Sequence, residues 1–260
     1  MAAPDGSTEP SEYIFGLHAV REALRSAGRP LTKLLVGRTD RPTSELVQLA
    51  RSAGIPVHFE PAQKLDRLVQ GGRHQGVVAL VAAKRYADPN EMIDLARSRN
   101  EAPLLVVLDG VEDPHNLGAI LRTVEAAGGH GVIIPDRRAV GLTGTVAKVS
   151  AGALEHLHVA QVGNITRAIE SLKAQGVWVY ALDPDSPKSY TSLDLTGPIA
   201  LVLGGEGSGV RLGVRKSCDD TVRLPMRGRV ASLNVSAAAA VILYEVVRQR
   251  IAASDGSRAS

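Results

Sequence analysis

The sequence is poor in cysteine, in aromatic residues and in long apolar runs. Cys218 is the only cysteine among 260 residues, and aromatic residues make up 3% of the chain. One cysteine cannot form a disulfide within the chain, which agrees with a reducing compartment, and Cys218 is expected to be a small buried apolar residue. No stretch resembles a transmembrane helix, and the acidic N-terminal segment lacks the apolar centre of a signal peptide. We therefore expect a cytoplasmic protein with no membrane partner.

The sequence also lacks residues spaced as metal ligands. Its seven histidines include His156 and His158, which are two residues apart, and His115, which stands alone in a predicted loop. Neither arrangement has the spacing of a zinc site. We therefore predict that the protein needs no metal.

Apolar sequence is plentiful enough for two α/β domains, since hydrophobic residues make up 44% of the chain. Residues 13–83 predict a small α/β domain, and residues 84–103, which contain one short helical stretch, are interpreted as a linker. Residues 104–250 alternate continuous apolar strands with helices, which predicts a parallel sheet covered by helices on both faces. We expect residues 1–12 to be a disordered leader and residues 251–260 a flexible tail.

Positive charge is concentrated in the first predicted domain. The chain carries a net charge of +3, and residues 13–83 contain ten Lys and Arg against five Asp and Glu, whereas residues 104–250 contain fifteen against fourteen. A basic domain indicates an acidic partner such as nucleic acid. Its glycine-rich loop, residues 71–76, is either an ordinary surface turn or an RNA-facing loop. In the second case Arg73 meets a phosphate, and His74 or Gln75 meets a sugar or base edge.

Three loops of the second domain carry the candidate chemistry, and each follows a predicted strand, where parallel sheets bind ligands. They are residues 109–118, 204–209 and 226–234. The glycines of the second loop have the spacing of a dinucleotide-binding turn, but Glu206 within it would repel a pyrophosphate. A ligand that is cationic and lacks phosphate, such as S-adenosylmethionine, is therefore favoured. In the third loop, Ser232 or Asn234 is predicted to cap a helix, and capping alone is the alternative to a functional role.

Taken together, the three loops resemble the ordered motifs of the SpoU/TrmH family of RNA ribose 2′-O-methyltransferases, in the SPOUT superfamily. The motifs read H-N-L-G-A-I-L-R-T-V-E-A-A-G, L-V-L-G-G-E-G-S-G-V and L-P-M-R-G-R-V-A-S-L-N-V-S. The segments F-G-L-H-A-V-R-E-A-L and R-H-Q-G-V-V-A-L-V resemble the N-terminal RNA-binding domain of the family's bacterial 23S rRNA (guanosine-2′-O-)-methyltransferase branch. The chain departs from the family at Gly205, where alanine is common, and at Leu224, where isoleucine is common.

The resemblance implies a C-terminal trefoil knot, bound S-adenosylmethionine and a homodimer with active sites near its interface. It assigns cofactor binding to Gly204, Leu224 and Leu233. It assigns catalysis or substrate orientation to five polar residues, which are Asn116, Arg122, Glu206, Ser232 and Asn234.

Arg122 has three possible roles. The family's mechanism makes it the base that removes the hydroxyl proton, although a guanidinium is normally a permanent cation. It could instead lower the pKa of the hydroxyl and anchor the adjoining phosphate. A structural ion pair with Glu125 is the third possibility.

The resemblance implies 2′-O-methylation of a ribose in ribosomal RNA, in particular of a guanosine of 23S rRNA. Since the target hydroxyl is absent from DNA, DNA is not expected as a partner. The alternatives are methylation of tRNA, methylation of another rRNA nucleotide as antibiotic self-resistance, and a non-catalytic RNA-binding role in ribosome assembly. A nicotinamide-dependent oxidoreductase is the weakest interpretation.

Overall fold

The structure is a computed structural model that describes residues 11–26 and 28–258. The chain forms two compact units, and the first contains two separate stretches of sequence, residues 11–85 and 142–156. Most of the predicted leader, residues 1–10, lies outside the described residues. No helix among those described is long and apolar enough to cross a membrane.

The first unit is built on a four-stranded sheet in the order β1-β4-β2-β3. Strands β1 and β2 are antiparallel to β4, and β3 is parallel to β2. The strands are β1 (Ser11–Phe15), β2 (Leu31–Val36), β3 (Val57–Phe59) and β4 (Val77–Ala82), and the helices are α1 (Leu17–Arg25), α2 (Arg41–Ser52) and α3 (Ala62–Leu68). The predicted leader boundary is wrong at its end, because Ser11 and Glu12 already pair with β4.

Residues 142–156 belong to the first unit by their contacts, although the sequence places them within the second predicted domain. They form helix α6 (Gly144–Val149) and a 3-10 helix (Ala153–Glu155). A buried ion pair fixes this segment: Arg29 donates through Nε and Nη2 to the two carboxylate oxygens of Glu155, at 3.0 and 2.7 Å. Arg29 also donates to Glu12 and to the carbonyl oxygen of Ala82. These contacts raise the pKa of Arg29 despite the opposing effect of burial.

The second unit contains a six-stranded sheet in the order β10-β8-β9-β5-β6-β7, with every pairing parallel, as predicted. Its strands are β5 (Leu104–Asp109), β6 (Gly131–Pro135), β7 (His158–Val162), β8 (Trp178–Leu182), β9 (Ile199–Gly204) and β10 (Asp220–Val222). Its helices are α4 (Pro89–Ser98), α5 (Pro114–Ala126), α7 (Ile165–Ala174), α8 (Leu212–Ser217) and α9 (Val235–Arg258), and a further 3-10 helix is formed by Tyr190–Ser192. Helix α9 continues past residue 250, where the flexible tail was expected.

Helix α4 shows that the predicted linker is not a simple connection. It begins with a capping box, in which Asp88 accepts from the first-turn backbone and Glu91 accepts from the Asp88 N–H, and Pro89 is its first residue. Its side chains Met92 and Ile93 are fully buried in the core of the second unit. Gly131 allows the close approach, because a Cβ there would lie 2.2 Å from the Met92 sulfur. Helix α4 is therefore part of the second unit's core.

Cys218 is half-buried and unpaired at the end of α8. Its thiol donates to the carbonyl oxygen of Val214 at 3.3 Å. The pKa of this thiol is raised to about 12, mainly by burial; Lys173 opposes the shift, and Asp219 and Asp109 add to it. The thiol is therefore protonated at neutral pH.

Candidate functional site

The candidate site lies at the carboxyl ends of β5 and β9, which are adjacent in the parallel sheet. The backbone N–H of Gly205 donates to the carbonyl oxygen of Asp109 at 2.9 Å, so that the loops following the two strands begin side by side. Helix α9 packs against α5. This packing brings the loop that precedes α9 to the same edge.

Side chains from all three candidate loops meet in one hydrogen-bonded group, called here the Asn–Glu–Asn cluster (Asn116, Glu206, Asn234). The Asn116 Nδ2 and the Asn234 Nδ2 donate to Glu206 Oε1 at 3.0 and 2.8 Å. Asn234 Nδ2 also lies 3.0 Å from Asn116 Oδ1. The structure thus brings together three predicted site residues that are far apart in the sequence.

Helix termini orient two members of this cluster. Asn116 lies in the first turn of α5, where Asp113 caps the helix by accepting from the His115 N–H at 2.8 Å. Asn234 caps α9, because its Oδ1 accepts from the Ser236 N–H at 2.9 Å. A backbone N–H can only donate, so this contact fixes the oxygen side of the Asn234 amide and turns its NH2 group toward Glu206. The predicted capping role of Asn234 is confirmed, and it coexists with the cluster.

The glycine-rich loop depends on close backbone approaches. A Cβ on Gly204 would lie 2.0 Å from the carbonyl carbon of Gly209, and a Cβ on Gly205 would lie 2.0 Å from the carbonyl oxygen of Gly110. Gly207 and Gly209 have φ angles of 81° and 59°, in the left-handed region that favours glycine. These contacts explain why glycine occupies position 205 in this chain.

An ion pair that the sequence analysis missed anchors the same loop. Asp109, whose side chain is fully buried, accepts from the backbone N–H and from Nε of Arg211, both at 2.8 Å, and lies 2.6 Å from its Nη2. The hydrogen bond to Asp109 raises the pKa of Arg211. The signal that could have identified this role is an aspartate at the end of a fully apolar strand, because a buried carboxylate needs a partner.

A cavity of about 370 Å³ opens beside the cluster. All three residues assigned to the cofactor by resemblance, Gly204, Leu224 and Leu233, line it, together with Glu206, Ser232 and Asn234. Leu182 at the end of β8, and Asp183 and Pro184 in the loop after it, add to its wall, a contribution that the sequence analysis did not predict. Its volume lies within the range of small-molecule sites, and its walls combine apolar side chains and glycines with two carboxylates, those of Asp183 and Glu206.

Arg122 lies apart from the cluster. It is exposed on α5, six residues after Asn116, and it does not line the cavity. At 100° per residue the two side chains leave the helix on different sides. Among the described residues, no hydrogen bond or ion pair joins Arg122 to the cluster or to Glu125.

In the first unit, two of the three predicted RNA-facing residues have partners within the protein. The Nδ1 of His74 accepts from the Gly76 N–H at 3.0 Å, which places the proton of neutral His74 on Nε2, 3.1 Å from Asp66 Oδ1. The Oε1 of Gln75 accepts from the Leu17 N–H at the start of α1, at 3.2 Å. Arg73 is exposed. Across the part of the chain that the structure covers, no group of three or more His, Cys, Asp or Glu residues is arranged to hold a metal ion.

Comparison with known proteins gives matches over both units. Residues 103–244 match the SpoU rRNA methylase family, and residues 13–87 match the RNA 2′-O ribose methyltransferase substrate-binding family. The fold of the SpoU family implies the trefoil knot expected from the resemblance.

Individual relatives are similar over almost their whole length. A Bacillus subtilis protein named as a putative TrmH family tRNA/rRNA methyltransferase is 44% identical, covering 94% of this chain and 98% of its own. A 23S rRNA (guanosine-2′-O-)-methyltransferase from Xylella fastidiosa is 43% identical, covering 92% and 97%. The crystal structure of the SpoU methyltransferase AviRb from Streptomyces viridochromogenes, in complex with AdoMet, superposes with a TM-score of 0.80 at 27% identity, covering 93% and 91%.

The Asp109–Arg211 pair generates a prediction about stability. We expect Arg211→Met to lower the free energy of unfolding by about 1.5 to 3 kcal/mol, because the buried Asp109 carboxylate loses its charged partner and keeps only the backbone N–H of residue 211. Asp109→Asn removes the buried charge and should cost less, about 0.5 to 1.5 kcal/mol. Urea unfolding of each variant measures both values. Lys188→Met, which breaks the exposed Lys188–Asp220 pair, is the control and should cost under about 1 kcal/mol. Equal small losses in all three variants would contradict an anchoring role.

Proposed function

Because this chain belongs to the SpoU rRNA methylase family, we propose that it methylates the 2′-oxygen of a guanosine ribose in 23S rRNA. The family establishes the coarser activity: the protein is an RNA 2′-O-methyltransferase that uses S-adenosylmethionine and acts on tRNA or rRNA. A guanosine of 23S rRNA as the specific target is supported by the Xylella fastidiosa 23S rRNA methyltransferase, which is 43% identical along nearly the whole chain.

The observation that carries this proposal is that two of the three motif loops line one cavity and the third is hydrogen-bonded to them. Glu206 and Asn234 line the cavity together with Gly204, Leu224 and Leu233, and Asn116 of the first loop is joined to Glu206 and Asn234. A non-catalytic RNA-binding protein would not need this combination of a cofactor-sized cavity with oriented amide and carboxylate groups.

The residues lining the cavity suit S-adenosylmethionine. Leu182, Leu203 and Val222 provide apolar wall, and the glycines of the loop expose backbone amides and carbonyls for an adenosine. The Glu206 carboxylate favours a cation and disfavours a phosphate. When bound, this cofactor supplies an electrophilic methyl group on a sulfonium. Gly204, Leu224 and Leu233 would hold it.

The cluster is proposed to orient the ribose. Glu206 Oε1 accepts from both asparagines, and none of the hydrogen bonds described engages Glu206 Oε2. A carboxylate oxygen that accepts and amide N–H groups that donate match the two sides of a sugar hydroxyl. Methyl transfer to an oxygen depends mainly on alignment and on removal of the hydroxyl proton. Ser232, which also lines the cavity, is proposed to assist in this orientation.

The first unit, in particular residues 13–83, is proposed to hold the RNA substrate. Its match to a substrate-binding family and its excess of ten basic over five acidic residues support salt-dependent binding to phosphates.

We propose that the protein forms a homodimer through the surface of α9. Val241, Tyr244 and Ile251 are 40%, 53% and 56% exposed and follow one another at spacings of three and seven residues, so they form one apolar face.

Sedimentation tests this interface. We expect wild-type protein to sediment near twice 27.4 kDa and Tyr244→Glu to sediment as a monomer, because the charge would be buried in the interface. Ser171→Glu, on the exposed face of α7, should leave the dimer intact. A wild-type monomer at micromolar concentration would contradict the proposal.

Mapping of ribose methylation tests the proposed target. Unmodified 23S rRNA, 16S rRNA and tRNA are incubated separately with the protein and labelled S-adenosylmethionine, and the modified nucleotide is located by sequencing. We expect one 2′-O-methylguanosine in 23S rRNA and none in DNA of the same sequence. Glu206→Gln keeps the shape of the side chain but removes its charge, and it should reduce turnover at least about tenfold. Methylation confined to tRNA would contradict the proposed 23S rRNA target, whereas the assignment to RNA 2′-O-methylation would stand.

Replacement of Arg122 separates its two remaining roles. If Arg122 is the base, Arg122→Lys should lose about 10² to 10⁴ in kcat, because general base catalysis depends on one positioned group. If it is a cation that anchors phosphate and stabilises the alkoxide, Arg122→Lys should retain most activity while Arg122→Gln loses it. Single-turnover rates at saturating RNA measure the difference, and near-normal turnover of Arg122→Gln would contradict both roles.

A further inference from the structure

Two cationic residues of the first unit, Lys148 and Arg73, belong to neighbouring segments although they are 75 residues apart: Lys148 lies over the Phe15 ring, and Gly72, next to Arg73, packs against the same ring. The position that a Cβ on Gly16 would occupy lies 3.5 Å from Lys148 Cγ and 3.2 Å from Gln75 Oε1, so α6 directly adjoins the loop of residues 71–76. The ammonium group of Lys148 lies 5.3 Å from the centre of the Phe15 ring. Lys148 is half-buried, and Arg73 is exposed.

Neither cation is neutralised by the protein. Among the residues that the structure describes, no carboxylate forms an ion pair with Lys148 or Arg73. Burial and the neighbouring charge of Arg73 both lower the pKa of Lys148. Two adjacent cations repel each other unless an anion lies between them, and the Phe15 ring compensates only part of that repulsion. The pair is therefore unfavourable in the free protein and favourable to an anionic ligand.

We propose that Lys148 and Arg73 together bind one backbone phosphate of the RNA substrate. The inference rests on the RNA-binding role of the first unit, and it adds a residue that the substrate-binding match does not contain, because Lys148 lies within the methylase match, residues 103–244. RNA is favoured over free phosphate as the source of the anion, because the loop that carries Arg73 belongs to the substrate-binding match. The predicted RNA-facing role of the loop then falls on Arg73, while His74 and Gln75 hold the backbone in position through their contacts with Gly76 and Leu17.

RNA affinity as a function of salt concentration tests this site. Lys148→Met removes the charge but keeps an unbranched side chain over Phe15, and Lys148→Arg keeps the charge. For Lys148→Met on unmodified 23S rRNA fragments, we expect affinity to fall about three- to tenfold and the slope of log K against log salt to decrease by about 0.7 to 0.9, the value of one phosphate contact. Lys148→Arg should resemble the wild type. S-adenosylmethionine affinity should be unchanged in both variants, and the melting temperature should not fall in either.

A matched control and a double variant sharpen the test. Arg51→Gln also removes one exposed positive charge from the first unit, but Arg51 lies in the last turn of α2, which contacts β3 at the sheet edge opposite β1. It should have little effect. Arg73→Gln should weaken binding as Lys148→Met does, and the double variant should lose less than the product of the two single losses, because both residues hold the same phosphate.

The outcomes separate this inference from the proposed function. If Lys148→Met retains the affinity and salt slope of the wild type, or if Arg51→Gln loses as much, the site is overturned even when the wild type methylates 23S rRNA. If the wild type methylates no ribose but the slopes change as expected, the proposed function fails and the site stands. Inorganic phosphate is the third probe. If it stabilises the wild type more than Lys148→Met, while the two proteins have equal slopes of log K for RNA against log salt, the site binds free phosphate and the RNA assignment is overturned.

Discussion

The hydrogen bonds among Asn116, Glu206 and Asn234 are the interaction on which the site depends. They join three loops, of which the one at 204–209 is rich in glycine and would otherwise be poorly constrained. The contact is possible because β5 and β9 are parallel neighbours, so that their carboxyl ends meet, and because α9 packs on α5. The buried Asp109 then holds the glycine loop at its far end through Arg211. The wall of the cavity is thus fixed by polar contacts at two points rather than by side-chain packing alone.

Much of the fold could be predicted from local patterns. Residues 104–108 of the buried strand β5 are a continuous apolar run, and the cap at Asn234 follows from its position before an alanine-rich helix. The assignment of α4 to a core could not be predicted, because it depends on Met92 reaching the bare backbone of Gly131, a partner 39 residues away. The placement of residues 142–156 in the first unit likewise depends on Arg29 and Glu155 finding each other across 126 residues. Neither contact can be detected from the hydropathy or the spacing of residues along the sequence.

Arg122 illustrates what a shared motif does and does not transfer. The motif fixes its distance along α5 from Asn116, and helical geometry then fixes the two side chains on different sides of the helix. Since Arg122 is exposed and outside the cavity wall, any part it takes in the reaction must involve the RNA directly, or residues of another molecule, rather than the cluster. The three positions that the resemblance assigns to the cofactor, by contrast, come from separate segments and still line one cavity. Motif transfer is thus supported by geometry for the cofactor positions and incomplete for this arginine.

The half-buried thiol of Cys218 has a practical consequence. Because the pKa of that thiol is raised to about 12, a negligible share is thiolate at neutral pH, and thiolate is the form that reacts with maleimides and disulfides. The natural chain is therefore expected to react little with thiol-labelling reagents. One cysteine introduced at an exposed position of either unit would be modified selectively, and a spin label or fluorophore attached there could follow the approach of the two units to RNA without the removal of any native residue.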